Sequence, residues 1–361
     1  MEEKRANLID AVKGIGIILV VFAHVYYEKT ALIVIYSFHM PLFFLIAGAM
    51  FRQEKYPRFG PFLKKRVRRL LVPYVIYEAL SICLLYTAER VYVGMFDIPK
   101  TEYVEFFRQI LVSNWSCTHV NQPLWFLPCL FLVEVLYYFL CKLPRPAMGA
   151  ACVLLVVCGW VLESGLLPFD NMLLPWSLDS GLFALGFYAL GNLGWKPLRQ
   201  AVVRIRESRG SKLRALALAM LCAAVWLPLA LLNGKVTLGS KILNNGFLLY
   251  LTGILGTLMV FFLGIPLENS RFLGFCGRYS FEIMASHYII RKFLVRPVYI
   301  LLKGEGYNRK IFSETWLPFV AVFVLSLLYT ALYTRIRSGG SAGKSSCVSM
   351  ETERNLSCRK F

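Results

Sequence analysis

The chain has 361 residues, of which 57% are hydrophobic, 15% aromatic and only 17% charged, too apolar for one or two ordinary soluble domains and matching a polytopic membrane protein. Its formal charge of +19 would suit a nucleic-acid binder, but the charge is concentrated in stretches between apolar runs. The expected partner is therefore a lipid bilayer and not nucleic acid.

Runs of about 20 apolar residues, the length that crosses a hydrocarbon core, recur ten times in chain order. They lie near 8–27, 32–51, 70–88, 123–141, 147–166, 173–193, 214–233, 243–263, 273–294 and 316–334. Sustained apolarity without strict alternation predicts helices, not barrel strands. The predicted fold class is all-α: a polytopic transmembrane helical bundle of about ten spans. Residues 1–336 form the integral membrane domain, and the Ser- and Gly-rich 337–361 are expected to be a flexible cytoplasmic tail. The first run has no cleavage signal of a removed leader, so it is expected to stay as the first span.

Basic loops remain cytoplasmic. "RQEKYPRFGPFLKKRVRR" (52–69) and the stretch Lys196–Arg214 hold most of the excess, which predicts a multi-pass cell-membrane protein with both termini cytoplasmic and segment 89–122 outside. Segment 291–315 departs from this pattern. It should be external, yet it carries Arg291, Lys292, Arg296, Lys303, Arg309 and Lys310. Either the ninth span is miscounted or those charges serve an anionic partner. The ten cysteines are scattered without metal-ligand or disulfide spacing, so they read as packing residues and no metal is expected.

Chemistry concentrates in the first hairpin. "DAVKGIGIILVVFAH" (10–24) carries Asp10, Lys13 and His24 on nearly one helical face, because eleven residues make almost whole turns. Lys13 and His24 are about 16 Å apart along the axis, so they address two ends of something or two different things. A short turn returns the chain to "FHMPLFFLIAGAMF" (38–51), which brings His39 to the depth of His24, and "RYSFEIMASHYII" (278–290) brings His287 to a similar level. A single histidine in an apolar helix is usually a packed residue with a satisfied hydrogen bond. Three at one depth point to a substrate or proton route, and an imidazole, with a pKa of about 6.5, suits a base acting on a hydroxyl.

Other candidates have competing readings. Lys13 either snorkels to the interface or binds a ligand. Gly14 and Gly16 admit a close neighbour, a helix or a ligand. Lys64, Lys65, Arg66, Arg68 and Arg69 mark topology and can also hold phosphates. Glu134, Asp179 and Glu282 are mid-span acids with no assignable partner. Trp115, His119 and Trp125 in or beside the outer segment could stack on a sugar or form an interfacial aromatic belt, and the segment is expected to contribute to acceptor choice.

The two hairpin motifs, "PLWFLPCLFLVE" (123–134) and "RYSFEIMASHYII", taken in order and spacing, resemble the multispan acyltransferase family three, particularly its fucose 4-O-acetylase-like branch, over roughly residues 5–335. The resemblance implies an integral membrane enzyme that moves an acyl group, commonly acetyl, from cytosolic acetyl-CoA or another acyl-CoA to a hydroxyl of a surface glycan, lipid-linked sugar or other exported acceptor. The family's basic residue and histidine of the first helix map to Lys13 and His24. Many members have arginine at the first position; lysine keeps the charge without the planar fork. Together with the residue reading, this assigns His24, His39 and His287 to catalysis. Lys13, Asp10 and the 64–69 cluster go to the donor, and Trp115, His119, Trp125 and Glu134 to the acceptor. A proton-coupled transporter using the same histidines is the main competing class, though the first five spans show no repeat in the last five. A non-catalytic scaffold ranks below it.

Overall fold

The computed structural model describes residues 2–91, 108, 110–113, 120–164, 174–240, 242–303 and 315–357. Among them the chain is helical, apart from one isolated bridge between Thr237 and Ile242, and the all-α bundle expected from the sequence is what forms. Helix α1 is Glu2–Val25, α2 Lys29–Tyr36, α3 His39–Met50, α4 Phe59–Arg66, α5 Val72–Val91 and α6 Phe126–Leu140. They are followed by α7 Arg145–Glu163, α8 Leu178–Glu207, α9 Ser211–Asn233 and α10 Gly246–Leu267. The last four are α11 Arg271–Arg278, α12 Ser280–Ile290, α13 Arg296–Lys303 and α14 Trp316–Ser357.

Eight stretches of the described residues are long and apolar enough to cross a membrane. The other two runs predicted from sequence also form helices. One opens α8, whose first half packs against α3, α6 and α7. The other is divided among α11, α12 and the π-turn Arg291–Val295, none of which is long enough alone.

The spans are arranged by burial. Those of α1 and α6 are 61% and 67% buried within the protein, whereas those of α7, α9 and α14 are only 22% buried. Exposed Val153 and Leu154, Met220 and Leu221, and Val324 and Leu328 face outward from these three helices, as lipid-facing side chains do. With polar chemistry on α1 and α6, the central helices are the ones that must solve a hydrogen-bonding problem.

Prolines break the predicted spans at defined places. Pro41 has no N–H to give the carbonyl four residues back, Ser37. That carbonyl is taken instead by Thr252 Oγ1 at 3.4 Å, and Ser37 Oγ accepts from Trp226 Nε1 at 3.0 Å. The second span is therefore two helices, α2 and α3, with His39 at the break. The same logic produces two π-turns. Val72 donates to Val67 just before Pro73, and Arg296 donates to Arg291 just before Pro297, so each backbone skips one residue where proline removes the normal donor.

Close helix contacts use glycine. A Cβ on Gly277 would fall inside the carbonyl of Asp10, and one on Gly14 inside that of Leu273. Helices α1 and α11 thus pack backbone to backbone, and the neighbour that Gly14 admits is a helix. At the opposite side of the core, Asn192 ties three helices: it accepts from Tyr137 OH at 3.0 Å and donates to the carbonyls of Gly48 at 3.0 Å and Phe51 at 3.1 Å.

Gly277→Leu should force α11 away from α1 and lower stability by about 1–3 kcal/mol, the usual cost of overpacking. Gly149→Ala, where an added methyl meets nothing within 4 Å, should leave the melting temperature in detergent unchanged. Equal melting of the two variants would contradict the backbone contact.

Candidate active site

A cavity of about 1640 Å³ runs through the middle of the bundle. Its wall joins the two groups of residues that the first helix separates. Asp10 and Lys13 line one part and His24 and His39 the other, with Ile17 and Val20 of α1 between them. The near end is strongly basic: Lys64, Lys65, Arg66, Arg68 and Arg69 all line it, joined by Arg52, Lys55, Arg199, Arg278 and Arg337. Asp10, Glu134 and Glu282 are the acids of the wall. Two of them are already engaged. Asp10 lies 3.1 Å from Lys13 Nζ and 3.9 Å from Arg278 Nε, and Glu134 lies 2.9 Å from Arg66 Nε. The remaining cations leave this end with a net positive field, which attracts and holds anions.

Arg66 and Glu134 are both buried. The guanidinium of Arg66 also covers the ring of Phe62 at 5.2 Å and that of Tyr56 at 5.8 Å. Glu134 therefore anchors α6 to the π-turn that carries Arg68 and Arg69, a partner the sequence did not reveal. Removing one member of such a pair leaves an uncompensated buried charge.

The three histidines share one local geometry. His24 Nδ1 is 2.8 Å from the carbonyl of Val20, His39 Nδ1 is 2.9 Å from that of Ile35, and His287 Nδ1 is 3.1 Å from that of Ile283. A carbonyl oxygen only accepts, so each Nδ1 carries the hydrogen and donates it. In the neutral ring, Nε2 is then the atom with the free lone pair. His24 is half-buried and His39 buried, and both line the cavity. His287 is fully buried and lies behind His24, with ring centroids 5.2 Å apart at 67°; its Nε2 has no hydrogen-bond partner. Ser280, on the same helix, reaches the cavity wall where His287 does not.

The acceptor candidates are less united. Trp125 lines the cavity but is 5% exposed, and Gly239 is in contact with its ring. The glycine, at φ +98°, belongs to the segment that also sends Thr237 and Leu238 to the wall. Glu134 lies at the basic end rather than beside His24. Trp115 and His119 lie outside the described residues. Sequence reasoning missed Tyr36, whose ring centroid is 4.9 Å from that of His39. It also missed Tyr329, in the cavity wall and 3.0 Å from Tyr77 OH. Single aromatics in apolar helices carry no signal that separates wall from core.

No group of three or more metal-ligating side chains comes together among the described residues. The chemistry on offer is an anion-binding mouth joined to imidazoles with free lone pairs, which is what a reaction between a charged donor and a hydroxyl requires.

Comparison with known proteins fits this arrangement. No curated protein is a significant match to the chain. Residues 7–335 match the family described as "Acyltransferase domain", acyltransferase family 3, a span that takes in the residues lining the cavity except Arg337. That match decides between the enzyme and the transporter readings. The chain belongs to acyltransferase family 3 and is a multi-pass membrane acyltransferase.

Proposed function

We propose that this protein is an O-acyltransferase, an acetyltransferase in its usual reaction, that takes its acyl group from cytosolic acyl-CoA and gives it to a hydroxyl of an exported glycan or lipid-linked sugar. The observation that carries the reading is the single cavity lined by both the basic cluster and the histidines. Coenzyme A bears several phosphates on a long arm ending in the thioester. Arg68, Arg69, Lys64 and Lys65 suit the phosphates, and the wall along α1 leads from Lys13 to His24, about 16 Å further along the axis. In this reading Asp10 holds Lys13 in place and does not itself touch the donor. The protein sits in the cell membrane with both termini cytoplasmic, as its loop charges favour.

His24 acts as general base. Its Nε2 takes the proton of the acceptor hydroxyl as the oxygen attacks the thioester carbonyl. The C–O bond forms and the C–S bond breaks, and the proton on Nε2 passes to the leaving thiolate, which gives an ester and free coenzyme A. A two-step route through acyl-Nε2 uses the same atom as nucleophile. His39 offers a second lone pair on the cavity wall, and His287 supports the ring of His24 from behind. Because each Nδ1 is already bonded to a carbonyl, no ring has to rotate or change tautomer before reaction.

His24→Ala should lower acyl-CoA-dependent ester formation by about 10²–10⁴-fold, the range of general acid–base catalysis, with the melting temperature retained. Purified protein, labelled acetyl-CoA and cell-envelope glycan as acceptor provide the assay. Transfer undiminished in the variant would overturn the assignment. Label left on wild-type protein without acceptor, and absent from the variant, would select the two-step route.

Replacing Arg68 and Arg69 together by alanine should raise the KM for acyl-CoA roughly tenfold or more, since a hydrogen bond to a charged group contributes about 1.5–3 kcal/mol, while kcat changes less. A fall in kcat at constant KM would show that the cluster does not bind the donor.

A further inference from the structure

Arg291 answers the departure from the loop-charge pattern noted in the sequence. It opens the second π-turn, four residues after His287 and so on the same face. Its guanidinium lies over two rings, 5.2 Å from the centroid of Tyr27 and 5.5 Å from that of Tyr288. The ring of Tyr288 is in turn 6.3 Å from that of His24 and 6.4 Å from that of His287. Arg291 therefore lies beside the histidines, outside the cavity wall as His287 does, and away from the basic end, which is about 16 Å distant along α1.

Among the described residues its charge is not matched: no carboxylate pairs with Arg291, and its Nε is buried without a hydrogen-bond partner. Glu28, the acid in the neighbouring α1–α2 turn, is committed elsewhere: its carboxylate caps α2 by accepting from the N–H groups of Thr30 at 2.9 Å and Ala31 at 2.6 Å. Arg296, at the far end of the same π-turn, likewise has a buried Nε with no partner. Aromatic faces stabilise a cation without satisfying its N–H groups, so the planar fork keeps donors for an oxyanion.

We propose that the acceptor carries an oxyanion, a phosphate or a carboxylate, and that Arg291 binds it beside His24. This rests on the reading above that the histidine end receives the acceptor, and it narrows that acceptor from any exported hydroxyl compound to an acidic one. Arg291 keeps the face of His287 because the α-helix runs regularly up to it, and the extra residue that Pro297 forces into the helix comes only after it, ahead of α13.

The test is equilibrium binding to the full-length protein in detergent, with the donor site filled by desulfo-coenzyme A, which has no thiol to react. Glucose 1-phosphate, glucuronate and glucose are titrated separately. The expected result is that one or both acidic sugars bind at least tenfold more tightly than glucose, the stronger showing which oxyanion the site prefers. R291Q should abolish the preference and leave the affinity for desulfo-coenzyme A unchanged. If R291Q does not fold, R291K decides, because it keeps the charge without the fork: acidic-sugar affinity should drop at least threefold with glucose unaffected. Absence of any preference in the wild type, or a preference that survives R291Q or is undiminished in R291K, would overturn the proposal. Failure of the wild type to bind desulfo-coenzyme A would count against the donor assignment alone, because the same three sugars are also titrated on the protein without it and the acidic preference is read there.

Discussion

Three hydrogen bonds, each from a histidine Nδ1–H to the carbonyl one helical turn back, set the chemistry of the whole site. An imidazole inside an apolar bundle needs a partner for its N–H. A helix carbonyl has a second lone pair, so it accepts from the side chain as well as from its own backbone N–H. The helix thus supplies the partner without losing its own ladder. Its tautomer fixed, each ring presents Nε2 as the free base. For His24 and His39 that atom belongs to a side chain on a cavity wall, and for His287 to one packed behind His24.

That local bond would be of little use if the helices ran straight. Pro41, Pro73 and Pro297 each withdraw a backbone donor close to a residue of the site or its surroundings. Pro41 frees the carbonyl of Ser37 for Thr252 and puts His39 at the start of α3. The other two force π-turns that carry Arg68 and Arg69 at one end of the site and Arg291 beside the histidines. The carbonyl freed by Pro41 is recaptured by the neighbouring α10, as a bilayer demands. Around this irregular centre, α7, α9 and α14 keep regular helices with apolar outer faces, so the bundle can be polar inside and still suit lipid.

Much of this was legible in the sequence, for physical reasons. Length and unbroken apolarity sufficed for the helical bundle, and the eleven-residue spacing of Lys13 and His24 placed both on one face, where the cavity runs. The shared depth of His24 and His39 followed from the short turn after α1, and that of His287 from its place beyond the midpoint of the ninth apolar run. Less was legible where geometry depends on a partner far along the chain. Nothing local told that Glu134 pairs with Arg66, since a buried acid in a helix looks the same whatever faces it. His287 behind His24, rather than on the wall, depends on the rotation of α12 against α1. Gly14 and Gly16 left helix and ligand open as neighbours, and only the contact of Gly14 with Leu273 decided between them for that position. The break in the second span coincides with Pro41, whereas the ninth run, broken at Tyr279, contains no proline, and apolarity alone reads straight through both.

The account stands on one claim: a charged thioester enters at the basic end and reaches His24 through the cavity. A structure of the protein with a non-transferable acyl-CoA analogue, its thioester sulfur replaced by methylene, tests this most directly. The account predicts phosphate density among Lys64, Lys65, Arg68 and Arg69, and the acyl carbonyl carbon facing His24 Nε2, so that an acceptor oxygen about 3–3.5 Å from that carbon also lies within hydrogen-bonding reach of the imidazole. An analogue bound outside the cavity, or one whose acyl end points away from His24, would contradict it.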